Sequence, residues 1–212
     1  MFDALAKARL YAICDLGYLS GEQALPVSRS LLEGGAGILQ LRAKGHEPGS
    51  LLSLAILLRD LCEEFSVPFI VNDHRELAIA SNAHGLHLGQ DDGSLEEARN
   101  ALGPQLIIGR STHSLQQANE ALAEGADYLG FGPLFTTPTK PGRPAIGLGD
   151  IAAMENQVGC KIPAFCIGGI KPDNLPGVLE AGARRVVIVS HLLNHPNPAG
   201  GTRAVVSQLP NL

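Results

Sequence analysis

The sequence predicts a (β/α)8 TIM barrel, a single domain over residues 1–212, with its active site at the C-terminal ends of the strands. Three observations predict it. Eight short runs, apolar almost throughout and rich in Val, Ile and Leu, have the composition of strands buried on both faces of a parallel sheet. Stretches of helical periodicity fill the gaps between them. One junction also recurs: in EGGAGILQLR (33–42), EGADYLGFG (124–132) and AGARRVVIVS (181–190) a helix ends, glycine supplies a left-handed cap, alanine follows and a strand begins. A doubly wound sheet is the alternative. Eight strand–helix units without a long interruption favour closure instead.

In chain order, RLYAIC (9–14) is the first strand, followed by a helix over roughly 21–33 and the strand that ends in QLR. The clearest helix covers 48–65, where Leu51, Leu54, Leu58, Leu61 and Phe65 recur at three and four with charges opposite. VPFIVND (67–73) and SNAHGLHLG (81–89) are weaker copies of the strand spelling, separated by a helix over 74–81. A helix over 94–102, the strand LIIGRS (106–111) and a helix over 114–124 come next. After the sixth strand a long loop intervenes, then a helix over 148–157, the strand IPAFCIGG (162–169) and a helix over 173–181. The eighth strand leads through the loop NHPNPAGG to a helix over 202–209.

Composition narrows the function. Apolar residues make up 45% of the chain, enough for an extensive core, while aromatics at 4% leave little for base-stacking surfaces. A net charge of −5 argues against a polyanion as main partner, so no nucleic acid is expected. Cys14, Cys62, Cys160 and Cys166 form no C-x-x-C and no zinc spacing, and read as reduced thiols of a cytoplasmic protein. The apolar run near the N-terminus is too short for a signal peptide or a membrane span, so no membrane association is expected. Oligomeric state is left undetermined.

Polar residues collect where the strands end. Gln40, Arg42 and Lys44 lie two apart, and strand period would put them on one face as an anion site. Asn72-Asp73 and Gln90-Asp91-Asp92 end the third and fourth strands. Asp73 and Asp92 are either helix N-caps or a pair sharing a hard divalent cation, since magnesium commonly takes one or two protein carboxylates with phosphate and water. Ser111, like Ser114, could cap a helix or face a ligand. Gly168-Gly169 answers either to a tight turn or to a phosphate cradle at a helix start, beside the strand end at Ser190. His84 and His87, three apart on a strand, face opposite ways and are not read as metal ligands. FGPLFTTPTKPGRPAIG (131–147), with its prolines, threonines and Lys140, can be neither strand nor helix, and reads as a binding loop or lid between the two anion sites. Two phosphorylated small molecules meeting on one rim suggest a condensation that expels pyrophosphate.

QLRAK, VND, HLGQDD, STH, GFGPLFTTPTKPG, AIGLG, IGGI and VVIVS, in that order from about Tyr11 to Ser190, resemble the thiamine phosphate synthase family. The resemblance implies that Gln40, Arg42 and Lys44, with Asn72, hold the diphosphate of hydroxymethylpyrimidine diphosphate, and that Asp73 and Asp92 bind Mg2+. It implies that Ser111 contacts the pyrimidine end and that Lys140 reaches the diphosphate, these two being the catalytic candidates. Thr137, Thr139, Gly169, Val189 and Ser190 would hold the thiazole phosphate. The implied reaction joins pyrimidine to thiazole nitrogen after a dissociative loss of diphosphate. Aspartate at 91, where the family has glutamate, leaves the metal assignment open between Asp91 and Asp92. His191 stands where the family often has a small residue. A thiazole tautomerase-like isomerase of the same barrel family, which GRSTHSLQQA resembles, and a non-catalytic phosphate-binding barrel are the alternatives.

Overall fold

The computed structural model describes residues 1–137 and 144–212. Strands β1 (Leu10–Asp15), β2 (Ile38–Arg42), β3 (Phe69–Asn72), β4 (Gly85–Leu88), β5 (Ile107–Thr112), β6 (Tyr128–Phe131), β7 (Ala164–Cys166) and β8 (Val186–Val187) pair in sequence order as a closed parallel barrel. This is the expected (β/α)8 architecture. Helices α1 (Phe2–Lys7), α2 (Gly21–Glu33), α3 (Leu52–Glu64), α4 (Arg75–Ala80), α5 (Leu95–Leu102) and α6 (Leu115–Ala123) are followed by α7 (Ile151–Met154), α8 (Leu175–Glu180), α9 (Ser190–Leu193) and α10 (Pro198–Val206). No helix among the described residues is long and apolar enough to cross a membrane.

Two apolar layers hold the barrel. Outward-facing strand residues such as Leu39, Leu41, Val71 and Leu129 pack with Leu58 and Leu61 of α3, Met154 of α7 and their neighbours. Inside the barrel, Tyr11, Ile38, Ile70, Ile107, Tyr128 and Phe165 pack with Leu5 of α1, which closes the N-terminal end. Close packing there depends on Gly109: a Cβ at that position would lie 2.1 Å from Cζ of Tyr128. The ring therefore occupies space that only glycine leaves.

Of the cap candidates the sequence offers, only Ser114 caps a helix; serines cap two others as well. Ser20 and Gln23 form a reciprocal capping box on α2, and the hydroxyls of Ser94 and Ser114 accept from Glu97 and Gln117 backbone N–H groups to cap α5 and α6. Five elements differ from the sequence reading, α10 among them: it begins at Pro198, inside the expected loop NHPNPAGG, where the Asn197 side chain accepts the Gly200 N–H. The helix expected over 48–65 opens as a 3-10 turn, Pro48–Leu51, before α3. The one expected over 148–157 is only α7 and then continues as a π turn, Glu155–Gly159. A short α9 follows β8 directly, ahead of α10. And α1, too short to hold by propensity, exists because Leu5 is buried in the barrel floor. All four cysteines are free thiols; Cys14, Cys62 and Cys166 are buried, and burial pushes the Cys14 thiol up to about 11.

Candidate active site

A cavity of about 440 Å³ opens at the C-terminal end of the barrel, a size suited to a small organic ligand. Gln40, Arg42, Asn72 and Ser111 line it from β2, β3 and β5. Thr137, Gly169, Val189 and Ser190 line it from the segments after β6, β7 and β8. Residues expected to serve two different phosphorylated ligands thus share one cavity. Thr139 and Lys140 lie outside the described residues.

The cationic side is preset by a buried partner. β1 and β2 place Asp15 opposite Arg42, and Nη1 of the arginine donates to Asp15 Oδ2 at 2.7 Å. The other carboxylate oxygen accepts the Gly17 N–H. Asp15 is 1% exposed, so Arg42 is held at the cavity edge by a carboxylate that water hardly reaches. Lys44 departs from the expected one-face arrangement. β2 ends at Arg42, the chain turns, and the Lys44 ammonium lies 3.3 Å from Asp73 Oδ2.

Beside the main cavity, Asp73 and Asp92 line a second one of about 180 Å³. Neither is a helix cap. The N-cap of α4 is His74, without a side-chain bond, and Ser94 caps α5. Asp73 sits at φ +64, its N–H donating to the His87 carbonyl. Asp92 Oδ2 accepts the Gly89 N–H at 2.7 Å and closes its own turn. Burial, then the nearness of Asp92, raises the Asp73 carboxyl above the ordinary carboxylate range, while Lys44 pulls it the other way. Two carboxylates that oppose each other's ionisation form a hard-oxygen donor set suited to magnesium, with ligand oxygens or water completing the shell. Among the described residues no group of three or more His, Cys, Asp or Glu side chains is placed to hold a metal.

The neutral side is made of backbone. Gly168 and Gly169 adopt φ +102 and +66, and Cβ atoms there would lie 2.4 Å from Cα of Pro133 and 2.8 Å from Cβ of Phe135. The glycines are therefore demanded by the loop after β6, which packs on them with Leu134 N–H bonded to the Ile167 carbonyl and Phe135 N–H to the Gly168 carbonyl. Since Ser114 is the cap of α6, Ser111 is left to face the cavity.

Sequence reasoning missed the cavity floor. Tyr11, Tyr128 and His87 line it, and His87 bonds Ser111 Oγ through Nε2 at 2.9 Å. His84 and His87 do face opposite ways: His84 Nδ1 accepts the Phe69 N–H outside the barrel. Alternation along β4 was the signal that could have placed His87 inside, one strand away from Ser111 in β5. Lys171, His191 and Asn194 also line the mouth near Ser190.

A closed parallel barrel whose C-terminal rim gathers amide, guanidinium and hydroxyl groups around one cavity, with two carboxylates lining a second, defines a (β/α)8 protein with a polar site at its strand ends. The family model described as thiamine monophosphate synthase matches residues 10–192, and the chain belongs to that family. It is 45% identical over 188 residues to a thiamine-phosphate synthase of Thermus thermophilus, covering 89% of this chain and 90% of that one. It is 42% identical over 205 residues to a thiamine-phosphate synthase of Nostoc, covering 97% of this chain but only 57% of the relative. The chain thus spans little more than half the length of some curated relatives. A solved thiamine phosphate pyrophosphorylase from Pyrococcus furiosus superposes with a TM-score of 0.85 at 34% identity, covering 95% of each chain.

Proposed function

We propose that this chain is a thiamine phosphate synthase, a transferase that condenses hydroxymethylpyrimidine diphosphate with hydroxyethylthiazole phosphate. The bond from the pyrimidine's methylene carbon to the diphosphate oxygen breaks, its electron pair leaving with pyrophosphate. The thiazole nitrogen then supplies the pair for the new carbon–nitrogen bond. The observation that carries this reading is the shared cavity: the side chains suited to a diphosphate and the backbone-rich turns suited to a phosphate monoester open into one space.

In this mechanism Gln40, Arg42 and Asn72 hold the diphosphate, and Lys44 reaches it from the Asp73 side. Arg42, preset by Asp15, meets charge as it develops on the leaving group without having to reorganise. Asp73 and Asp92 would hold magnesium, which when bound neutralises part of the charge on the departing diphosphate. Lys140 is assigned to the same leaving group and Ser111 to the pyrimidine ring. Thr137, Thr139, Gly169, Val189 and Ser190 orient the thiazole phosphate. The apolar walls, among them Ile13, Phe165 and Ile167, exclude water that would otherwise capture the cation.

Mixing the purified protein with both phosphorylated substrates and magnesium should give thiamine phosphate and pyrophosphate in equal amounts, and a chelator or Asp73→Asn should suppress turnover. Absence of thiamine phosphate would reject the proposal. Isomerisation of a thiazole phosphate alone would move the assignment to the tautomerase.

A further inference from the structure

A continuous polar chain crosses the cavity floor. Gln40 Nε2 donates to the Tyr11 hydroxyl at 2.7 Å, and the Tyr11 and Tyr128 hydroxyls lie 2.9 Å apart. The Tyr128 hydroxyl lies 3.0 Å from Nδ1 of His87, and Nε2 of His87 lies 2.9 Å from Ser111 Oγ. The side chains come from β1, β2, β4, β5 and β6, and none is more than 9% exposed. Burial raises both tyrosines above their ordinary range, which keeps the hydroxyls protonated.

Each phenol has one proton to give, and a neutral imidazole has one N–H. Reversing the later links while Gln40 still donates would make Tyr11 a double acceptor and leave its buried proton without a partner, so the chain keeps one direction throughout. With the Gln40 amide N–H donating, Tyr11 accepts and gives its proton to Tyr128, and Tyr128 gives its own to Nδ1 of His87. The imidazole then carries its proton on Nε2 and donates to Ser111 Oγ. Ser111's own proton is left to point into the cavity the residue lines. In the opposite polarity Ser111 would donate to His87 and offer only an acceptor to the ligand.

We propose that Tyr11, Tyr128 and His87 are positioning residues, a relay of hydrogen-bond polarity that starts at the Gln40 amide and makes Ser111 a donor to an acceptor atom of the bound ring. The identity of that ring as a pyrimidine rests on the functional reading above; the relay itself does not. An anion beside Arg42 reinforces the setting. It would take the second Gln40 N–H, so both protons of that amide nitrogen are committed and the glutamine cannot flip to present its oxygen to Tyr11. Occupancy of the diphosphate site and the donor character of Ser111 are thereby linked through side chains that need not touch the reacting atoms.

The tautomer of His87 reads the relay directly. In 15N-labelled protein, with the His87 signals identified by their loss in His87→Gln, the Nε2–H form is expected. Gln40→Glu at pH 8 places an acceptor-only carboxylate beside Arg42, so Tyr11 must donate to it and the imidazole should switch to the Nδ1–H form. Tyr128→Phe cuts the relay without altering Gln40 or Ser111. It should mix the two tautomers and lower kcat about five- to tenfold, with KM for both substrates within about twofold. An Nδ1–H imidazole in the wild type, or an unchanged Nε2–H form in Gln40→Glu, overturns the proposal. Should Gln40→Glu not fold, the wild-type tautomer and Tyr128→Phe decide. A confirmed tautomer pattern in a protein that makes no thiamine phosphate would leave the relay standing and remove the functional reading alone.

Discussion

Asp15 shows how one residue sets the character of the site. Its carboxylate is buried, paired with Arg42 at 2.7 Å and bonded to the Gly17 N–H, so it orients the guanidinium while cancelling part of its charge. Under the proposed function an incoming anion would meet an arginine already aimed, its charge partly balanced by Asp15. Asp15→Asn keeps a carbonyl oxygen for Gly17 but removes the countercharge. Because breaking a buried pair leaves the remaining charge uncompensated, the variant should lose about 2–4 kcal/mol of stability in urea titrations. Pyrophosphate supplies the missing partner, so it should raise the melting temperature of the variant more than that of the wild type. An equal shift in both proteins would separate Arg42 from the anion site.

At the scale of elements, the β4–α5 turn ties the carboxylates to the barrel. Arg110 in β5 donates from Nη1 to the carbonyls of Gly89 at 2.9 Å and Gly93 at 2.8 Å, clamping both ends of the turn that bears Asp91 and Asp92. Arg110→Ala leaves these carbonyls without that donor, at a cost of about 1–3 kcal/mol. If the turn presents a magnesium ligand, the magnesium concentration for half-maximal turnover should rise about tenfold, with most activity recovered at saturation. Unchanged magnesium dependence would detach the clamp from the metal. The sequence made the strands and most helices legible because apolar period and serine caps such as Ser114 are local signals, whereas Asp92, a candidate cap, yields that role to Ser94. It left α1 illegible because six residues are held by what Leu5 touches and not by their own propensity. Asp73 could be read as cap or ligand until the structure made His74 the N-cap of α4, with no side-chain bond to the helix start. Tyr11 and Tyr128 are bonded across 117 positions of chain, and alternation could place each inside the barrel without revealing the other as its partner.

At the scale of the whole molecule, the proposed division of the rim into a diphosphate arc and a monophosphate arc can be tested. Arg42 ends β2 and Ser190 follows β8, with only β1 between them in the ring. At a strand spacing of about 4.8 Å, they stand roughly 10 Å apart, near enough for one condensed product to span and far enough for nearly independent binding. Arg42→Ala removes a charged donor from one arc, and should weaken magnesium pyrophosphate binding about ten- to a hundredfold while leaving thiazole phosphate affinity within about twofold. Ser190→Ala should show the reverse selectivity with a smaller loss, about three- to tenfold, because its hydroxyl is neutral. The double variant should lose for each ligand what the relevant single variant loses, since neither anion alone bridges the arcs. Calorimetric titration of the wild type and all three variants with each ligand checks this. Comparable loss of both ligands in both single variants would mean that one site serves both anions, and the division of the rim into a diphosphate arc and a monophosphate arc would fall.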